Sequence, residues 1–99
     1  MQLLNYKIDW DENKNKQNLE KHGLDFVDFK LSLNESFIVS IDNRKQYNET
    51  RYIGYGLIKS IFVVSVFTVR NKHTFRVILF RKGNSRERKI YEQLKNKLE

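Results

Sequence analysis

From Phe37 onward the chain is built of short runs in which β-branched and aromatic residues recur, over residues 37–41, 51–58, 60–70 and 74–81. Such runs predict four strands. The later connections are short, Lys59 and then Asn71-Lys72-His73, so successive strands should turn back on each other as hairpins. The one long polar connection is 42–50. Upstream, Leu4, Tyr6, Ile8 and Trp10 alternate with polar residues and predict a first strand over 3–10. Asp11 stands where a helix N-cap belongs, with Glu12 in the first turn and Gly23 as the stop after His22. Asp25 then caps a second helix whose apolar face is Phe26, Phe29, Leu31 and Leu33, ending at Asn34-Glu35-Ser36. A last helix starts at Ser85 as its cap and carries Ile90, Tyr91, Leu94 and Leu98 as a stripe. The order β-α-α-β-β-β-β-α predicts an α+β fold: a twisted, mainly antiparallel sheet with helices packed on one face.

A chain of 99 residues, 39% of them hydrophobic, has material for one core, so 1–99 is read as a single domain. The absence of cysteine removes disulfides, thiolate ligands and a Cys nucleophile, and suits a reducing compartment. The longest apolar run, 61–69, is broken by Ser65 and Thr68 and falls well short of the roughly 20 residues of a membrane helix. The N-terminus lacks the basic start and apolar stretch of a signal peptide. A cytoplasmic protein with no membrane partner is expected.

Charge sharpens this picture through its distribution. Residues 1–50 carry seven Lys/Arg against nine Asp/Glu, whereas 51–99 carry twelve against three. Cations gathered in one half point to a polyanionic partner, because they release counterions on meeting phosphates. A solvated basic surface is the plainer reading of the same charge.

Two histidines, 22 and 73, with no cysteine match no metal-ligand spacing, and no cofactor is implied. Gly54-Tyr55-Gly56 lacks the rest of a phosphate loop and reads instead as a bulge or close backbone approach inside a strand. Metal-independent RNA cleavage is the chemistry these residues permit, since RNA supplies its own nucleophile, the 2′-hydroxyl. It needs a proton acceptor, a proton donor for the leaving 5′-oxygen, and cations around the phosphorane. Arginine suits the last role, and Arg44, Arg51, Arg70, Arg76 and Arg81 stand at strand ends. His22, Glu49, Tyr47 and Tyr91 can carry protons, and Lys21 joins them where nearby cations favour its neutral form. Each also has a structural reading: His22 suits a helix C-terminus, the arginines suit the solvent face of a sheet, and Tyr91 suits a core edge.

Several strings taken in order resemble the BrnT family of type II toxins. They are Trp10-Asp11 with Lys14; Asn18; Lys21-His22-Gly23-Leu24-Asp25-Phe26; Asp42, Arg44, Tyr47, Glu49 and Arg51; Gly54; Phe67-Thr68-Val69-Arg70; Arg76 through Lys82; Arg86-Glu87-Arg88; and Tyr91-Glu92. The resemblance implies a RelE-like fold and an endoribonuclease that stalls translation and growth. It further implies a neutralising BrnA-type antitoxin, and contact with operator DNA only through the antitoxin complex. Carried over position by position, it implies a site of Lys21, His22, Glu49, Arg51, Arg70 and Arg81, with Tyr91 as a further candidate. Arg70 and Arg81 are its first choices as phosphate ligands, and Glu49 and Lys21 its first choices for proton transfer. The chain departs from the family where Leu79, Phe80 and Gly83 replace a serine and two alanines, and where Asn48 replaces a glycine. A non-catalytic nucleic-acid or antitoxin-binding module, that is, a degenerate toxin, is the alternative these departures suggest.

Overall fold

The structure, a computed structural model, describes residues 6–98. In chain order it contains β1 (Lys7–Asp9), α1 (Glu12–His22), a 3-10 helix (Phe26–Ser32), β2 (Ile38–Ile41), β3 (Tyr52–Ile58), β4 (Ile61–Arg70), β5 (Thr74–Lys82) and α2 (Ser85–Lys97). The order expected from the sequence is present, although residues 3–5 of the expected first strand lie outside the described residues. The five strands run β1-β5-β4-β3-β2. β2 to β5 form an antiparallel meander, and β1 joins β5 in parallel. No helix among the described residues is long and apolar enough to cross a membrane.

The helices do not share one face. β4 is the reason: every residue from Phe62 to Thr68 is buried, so both of its sides need cover. Val63 and Phe67 join Phe26, Phe29, Val77 and Phe80 in one core beneath the 3-10 helix. Phe62 and Val64 join Tyr55 and Tyr91 in a second core, beneath α2 on the opposite face.

Three local features also differ from the expectation. The second helix is 3-10, and its threefold period stacks Phe26, Phe29 and Ser32 inward while leaving Leu31 exposed. The cap of α2 is Asn84: its side chain accepts the Glu87 N–H, and the Glu87 carboxylate accepts the Asn84 N–H, closing a capping box. That register turns Tyr91 and Leu94 inward and leaves Ile90 and Leu98 exposed. Finally, the β4–β5 ladder passes from Val66–Leu79 to Phe67–Val77, so Ile78 is the extra residue of a bulge. The bulge lets Val77 and Phe80 enter the same core although they are an odd number of residues apart.

α1 docks through amides. Its buried residues are Asn15 and Asn18, and Leu19 is exposed. Asn15 accepts from the Phe26 N–H at 2.9 Å and donates to Asp25 at 3.0 Å. Asn18 donates to the Phe80 carbonyl at 2.7 Å and the Leu24 carbonyl at 2.9 Å, and accepts the Phe80 N–H at 3.2 Å. Where β1 ends, one side chain thus meets the β5 backbone as a neighbouring strand would.

Gly54 lets β3 lie against its cover, since a Cβ there would stand 2.6 Å from both the Phe37 ring and the Ser65 hydroxyl. A close backbone approach, and not a bulge, is what the Gly-Tyr-Gly string marks. Gly54→Ala should therefore destabilise the fold by about 1–3 kcal/mol in urea unfolding, the usual cost of overpacking; an unchanged midpoint would show that Phe37 yields freely. Asn18→Ala strips partners from buried groups of Phe80 and Leu24 and should cost about 3 kcal/mol. The exposed Asn13→Ala on the same helix should stay within about 0.5 kcal/mol. Equal effects of the two would refute the edge-closing role of Asn18.

Candidate active site

The strand registers set a polar half-face beside α2. Thr68 lies opposite Arg76, Val66 opposite Leu79, and Val64 opposite Arg81. Because Val64 belongs to the core under Tyr91, these side chains all point to the α2 side of the sheet. α2 covers only the Phe62–Val64–Tyr55 end. The β3–β4 ladder begins at Tyr52–Phe67, which puts Arg51 beside Thr68 on the uncovered part.

Pairing separates the five strand-end arginines. Arg44 meets the fully buried Asp42 carboxylate through Nε and Nη2, both at 2.8 Å. Arg76 binds Asp9 at 2.8 Å across the β1–β5 pair, and Arg81 binds both Glu87 oxygens, at 2.8 and 2.7 Å. Arg70, half-exposed at the sheet end, approaches Glu49 only to 3.9 Å. Arg51 has no carboxylate partner among the described residues. Its guanidinium carbon stands 4.2 Å from the centroid of the Tyr47 ring, and its Nε is buried with no hydrogen-bond partner, as is the neighbouring Thr68 hydroxyl. The contact with the ring engages the guanidinium without using any of its N–H donors.

Tyr47 is placed by the polar connection between β2 and β3. Asp42, at the end of β2, accepts from the Arg44 guanidinium, the Arg44 N–H and, at 3.0 Å, the Tyr47 hydroxyl. The Arg44 contact, ahead of the other bonds, holds the Asp42 carboxyl well below the usual carboxylate range, so it stays ionised and folds the connection around itself.

Arg51 reaches toward the C-terminal end of α1, where it lines a concavity of about 330 Å³ with Lys14, Gln17, Asn18, Lys21, His22 and Leu79. Three lysine or histidine side chains of α1 thus face one unpaired arginine. Desolvation first, then the charges of Lys21 and Arg81, push His22 below the ordinary histidine value and favour the neutral ring. A neutral imidazole among fixed cations can accept a proton and meet an anion in the same place. No group of three or more His, Asp or Glu side chains among the described residues is placed to hold a metal ion.

Of the residues singled out in the sequence, Lys21, His22 and Arg51 line this concavity, and the charge of Arg81 reaches it. Glu49 lies with Arg51 and Tyr47 along the adjoining loop, with Arg70 beyond it. Tyr91 stands apart. It is 2% exposed, its ring packs 5.3 Å from that of Phe62, and its hydroxyl donates to the Ser36 carbonyl at 2.9 Å. Thr68 and Gln17 were not singled out by their chemistry, and only the Thr-x-Arg string signalled Thr68.

Arg81→Ala removes a cation that acts on His22, which favours the imidazolium. The His22 titration midpoint, followed by NMR of the ring carbons, should therefore move upward toward the ordinary value. An unmoved midpoint would show that Arg81 does not act on this ring.

Comparison with known proteins places the chain in a family. The model of a family described as the ribonuclease toxin BrnT of type II toxin-antitoxin systems matches residues 10–87. No curated protein sequence matches the chain. Among solved structures, the 1.1 Å crystal structure of the Brucella abortus ribonuclease toxin BrnT is 30% identical. The match covers 81% of this chain and 99% of that one, with a TM-score of 0.64. With the family match spanning most of its length, from Trp10 to Glu87, the chain belongs to the BrnT family of type II ribonuclease toxins.

Proposed function

We propose that this protein is a metal-independent endoribonuclease whose active site is the concavity between α1 and Arg51. The observation that carries the reading is Arg51 itself: it has no carboxylate partner among the described residues, its Nε is buried without a partner, and it faces Lys14, Lys21 and His22. A cluster of cationic donors built around one buried, unpartnered N–H is stabilised by an anion, and the phosphorane of RNA cleavage is one. In this mechanism the 2′-oxygen attacks the adjacent phosphorus and its proton passes to neutral His22. Arg51 and Arg81 hold the equatorial oxygens as negative charge builds. The P–O5′ bond breaks, the 5′-oxygen takes a proton from the Lys21 ammonium, and a 2′,3′-cyclic phosphate remains. Glu49 and Arg70 flank the path of the strand.

Membership of a type II toxin family implies an antitoxin partner and an RNA target. We infer that the antitoxin is of the BrnA type and lays an acidic segment over the same basic face, neutralising the toxin by occupying the phosphate sites. Operator DNA would then be met through the antitoxin. The chain would act in the cytoplasm.

Expression of the chain alone should arrest growth with breakdown of total RNA, and co-expression of its operon partner should relieve both. Arg51→Ala should lower cleavage by the purified protein by about 100-fold, the scale of losing one transition-state donor. Intact RNA despite soluble protein, or an Arg51→Ala loss that only weakens binding in a salt-dependent way, would favour the non-catalytic binding module instead.

A further inference from the structure

The Arg86-Glu87-Arg88 string of α2 is not used by the mechanism above, yet its central carboxylate touches Arg81. Arg81 spends the Nη1 and Nη2 hydrogens at its tip on the two Glu87 oxygens and gives a further Nη1 hydrogen to the Lys82 carbonyl at 3.2 Å. A guanidinium has five N–H donors. The two that remain, the Nε–H and the outer Nη2–H, lie parallel along one edge and form the fork that binds phosphate through two bonds. Neither has a partner among the described residues, and Arg81 Nε is not among the buried unpartnered atoms. Glu87 therefore occupies the end of the guanidinium and leaves its phosphate-binding edge open.

Glu87 is held in turn. Its Oε1 accepts the Asn84 N–H at 3.0 Å while its own N–H goes to the Asn84 side chain at 2.8 Å, so the carboxylate belongs to the N-terminal cap of α2. It is mostly buried, at 18% side-chain exposure, and Arg81 at 25% is little freer. Arg44, Arg81 and Arg86 line one cleft of about 370 Å³ between α2 and the sheet. Arg86 puts a positive charge in the first turn of α2, where the helix macrodipole disfavours cations. Glu87 supplies the anion that this turn requires, so the cap can stand among these arginines.

We propose that Glu87 is a positioning residue: by gripping the end of Arg81 from the cap of α2, it aims the free Nε–H/Nη2–H edge of that arginine at the RNA phosphate. The proposal rests on the ribonuclease reading for its catalytic consequence, but the aiming itself is observable without cleavage. The grip also ties the position of α2 to the orientation of Arg81.

Glu87→Gln and Asn84→Ala separate positioning from capping. Glutamine keeps an oxygen for the Asn84 N–H but loses the charge and the second acceptor for Arg81; alanine at 84 loses a cap bond but leaves the Arg81–Glu87 pair. The probe is a 2′-O-methyl oligoribonucleotide, which cannot be cleaved, and the readout is the Arg81 Nε–H resonance, assigned by its loss in Arg81→Ala. In the wild type this resonance should shift on adding the oligonucleotide. Glu87→Gln should abolish that shift and lower kcat by about 100-fold, the scale of misplacing a reacting group, with KM little changed; its Tm should fall too, because the first turn of α2 loses its anion. Asn84→Ala should lower Tm and keep both the shift and kcat. A Glu87→Gln protein that keeps the shift and kcat, or cleaves faster, overturns the proposal, as would equal losses in the two variants. If the wild type cleaves no RNA while its Arg81 shift still depends on Glu87, the ribonuclease reading falls and the positioning role stands.

Discussion

The bonds from Asn18 to the backbone of Phe80 hold this structure and its site in one frame. Among the described residues β1 pairs with β5 from Lys7 to Asp9, so the β5 edge beyond Arg76 must find other partners or water. Asn18 satisfies both the N–H and the carbonyl of Phe80, and its second amide hydrogen fixes Leu24, the start of the chain's return. A helix anchored by an apolar stripe can slide over a core by fractions of an ångström, whereas one anchored by directional bonds to a strand is fixed in register. That register decides where Lys21 and His22, one turn further on, stand relative to Leu79 and Arg51 on the sheet.

Much of this was legible in the sequence, for reasons that mark where such reading ends. The strands announced themselves because β-branched and aromatic side chains on both faces of β4 leave little else for residues 61–70 to form. The same feature, a strand buried on both sides, should have announced helices on both faces, and the alternating patterns around it obscured that. The 3-10 helix was visible as Phe26, Phe29 and Ser32 at a period of three, but Leu31 and Leu33 made the pattern look α-helical. α1 was recognised by its cap and stop; nothing in its polar composition shows that its inner face is made of asparagines. For the site, residue types and strand ends located the arginines. Which of them pairs with which carboxylate depends on the fold of the 42–50 connection and on the Ile78 bulge, and neither has a periodic signature.

The electrostatic arrangement explains how so basic a half-chain folds. Four arginines on or beside the sheet approach acidic side chains drawn from β1, the 42–50 connection and α2, so their repulsion is offset locally. These pairs differ in what they leave free. Asp42 uses Arg44 to build a loop that carries Tyr47 under Arg51, whereas Glu87 takes only the tip of Arg81. Arg51, Lys14 and Lys21, which have no ion-pair partner among the described residues, line one concavity together. Removing solvent there costs stability that the rest of the fold must supply, the usual relation between a binding site and its scaffold.

The departures from the usual family pattern sort themselves by the same geometry. Phe80, where the family has alanine, is fully buried in the core under the 3-10 helix, edge-on to the Phe29 ring. Gly83, where it has another alanine, is needed because a Cβ there would stand 2.2 Å from the Phe62 ring. A ring added at 80 and a methyl removed beside Phe62 are adjustments of packing, one in each core, and neither alters a donor on the polar face. Leu79 is different. It replaces a serine on the α2 side of the sheet and lines the concavity with Lys21, His22 and Arg51. An apolar side chain at that point removes a hydroxyl and excludes water, which strengthens the field of the surrounding cations. The two core changes alter no donor on the polar face, whereas Leu79 changes the lining beside Lys21, His22 and Arg51, and Asn48, where the family has glycine, adds an amide to the loop beside Tyr47, Glu49 and Arg51.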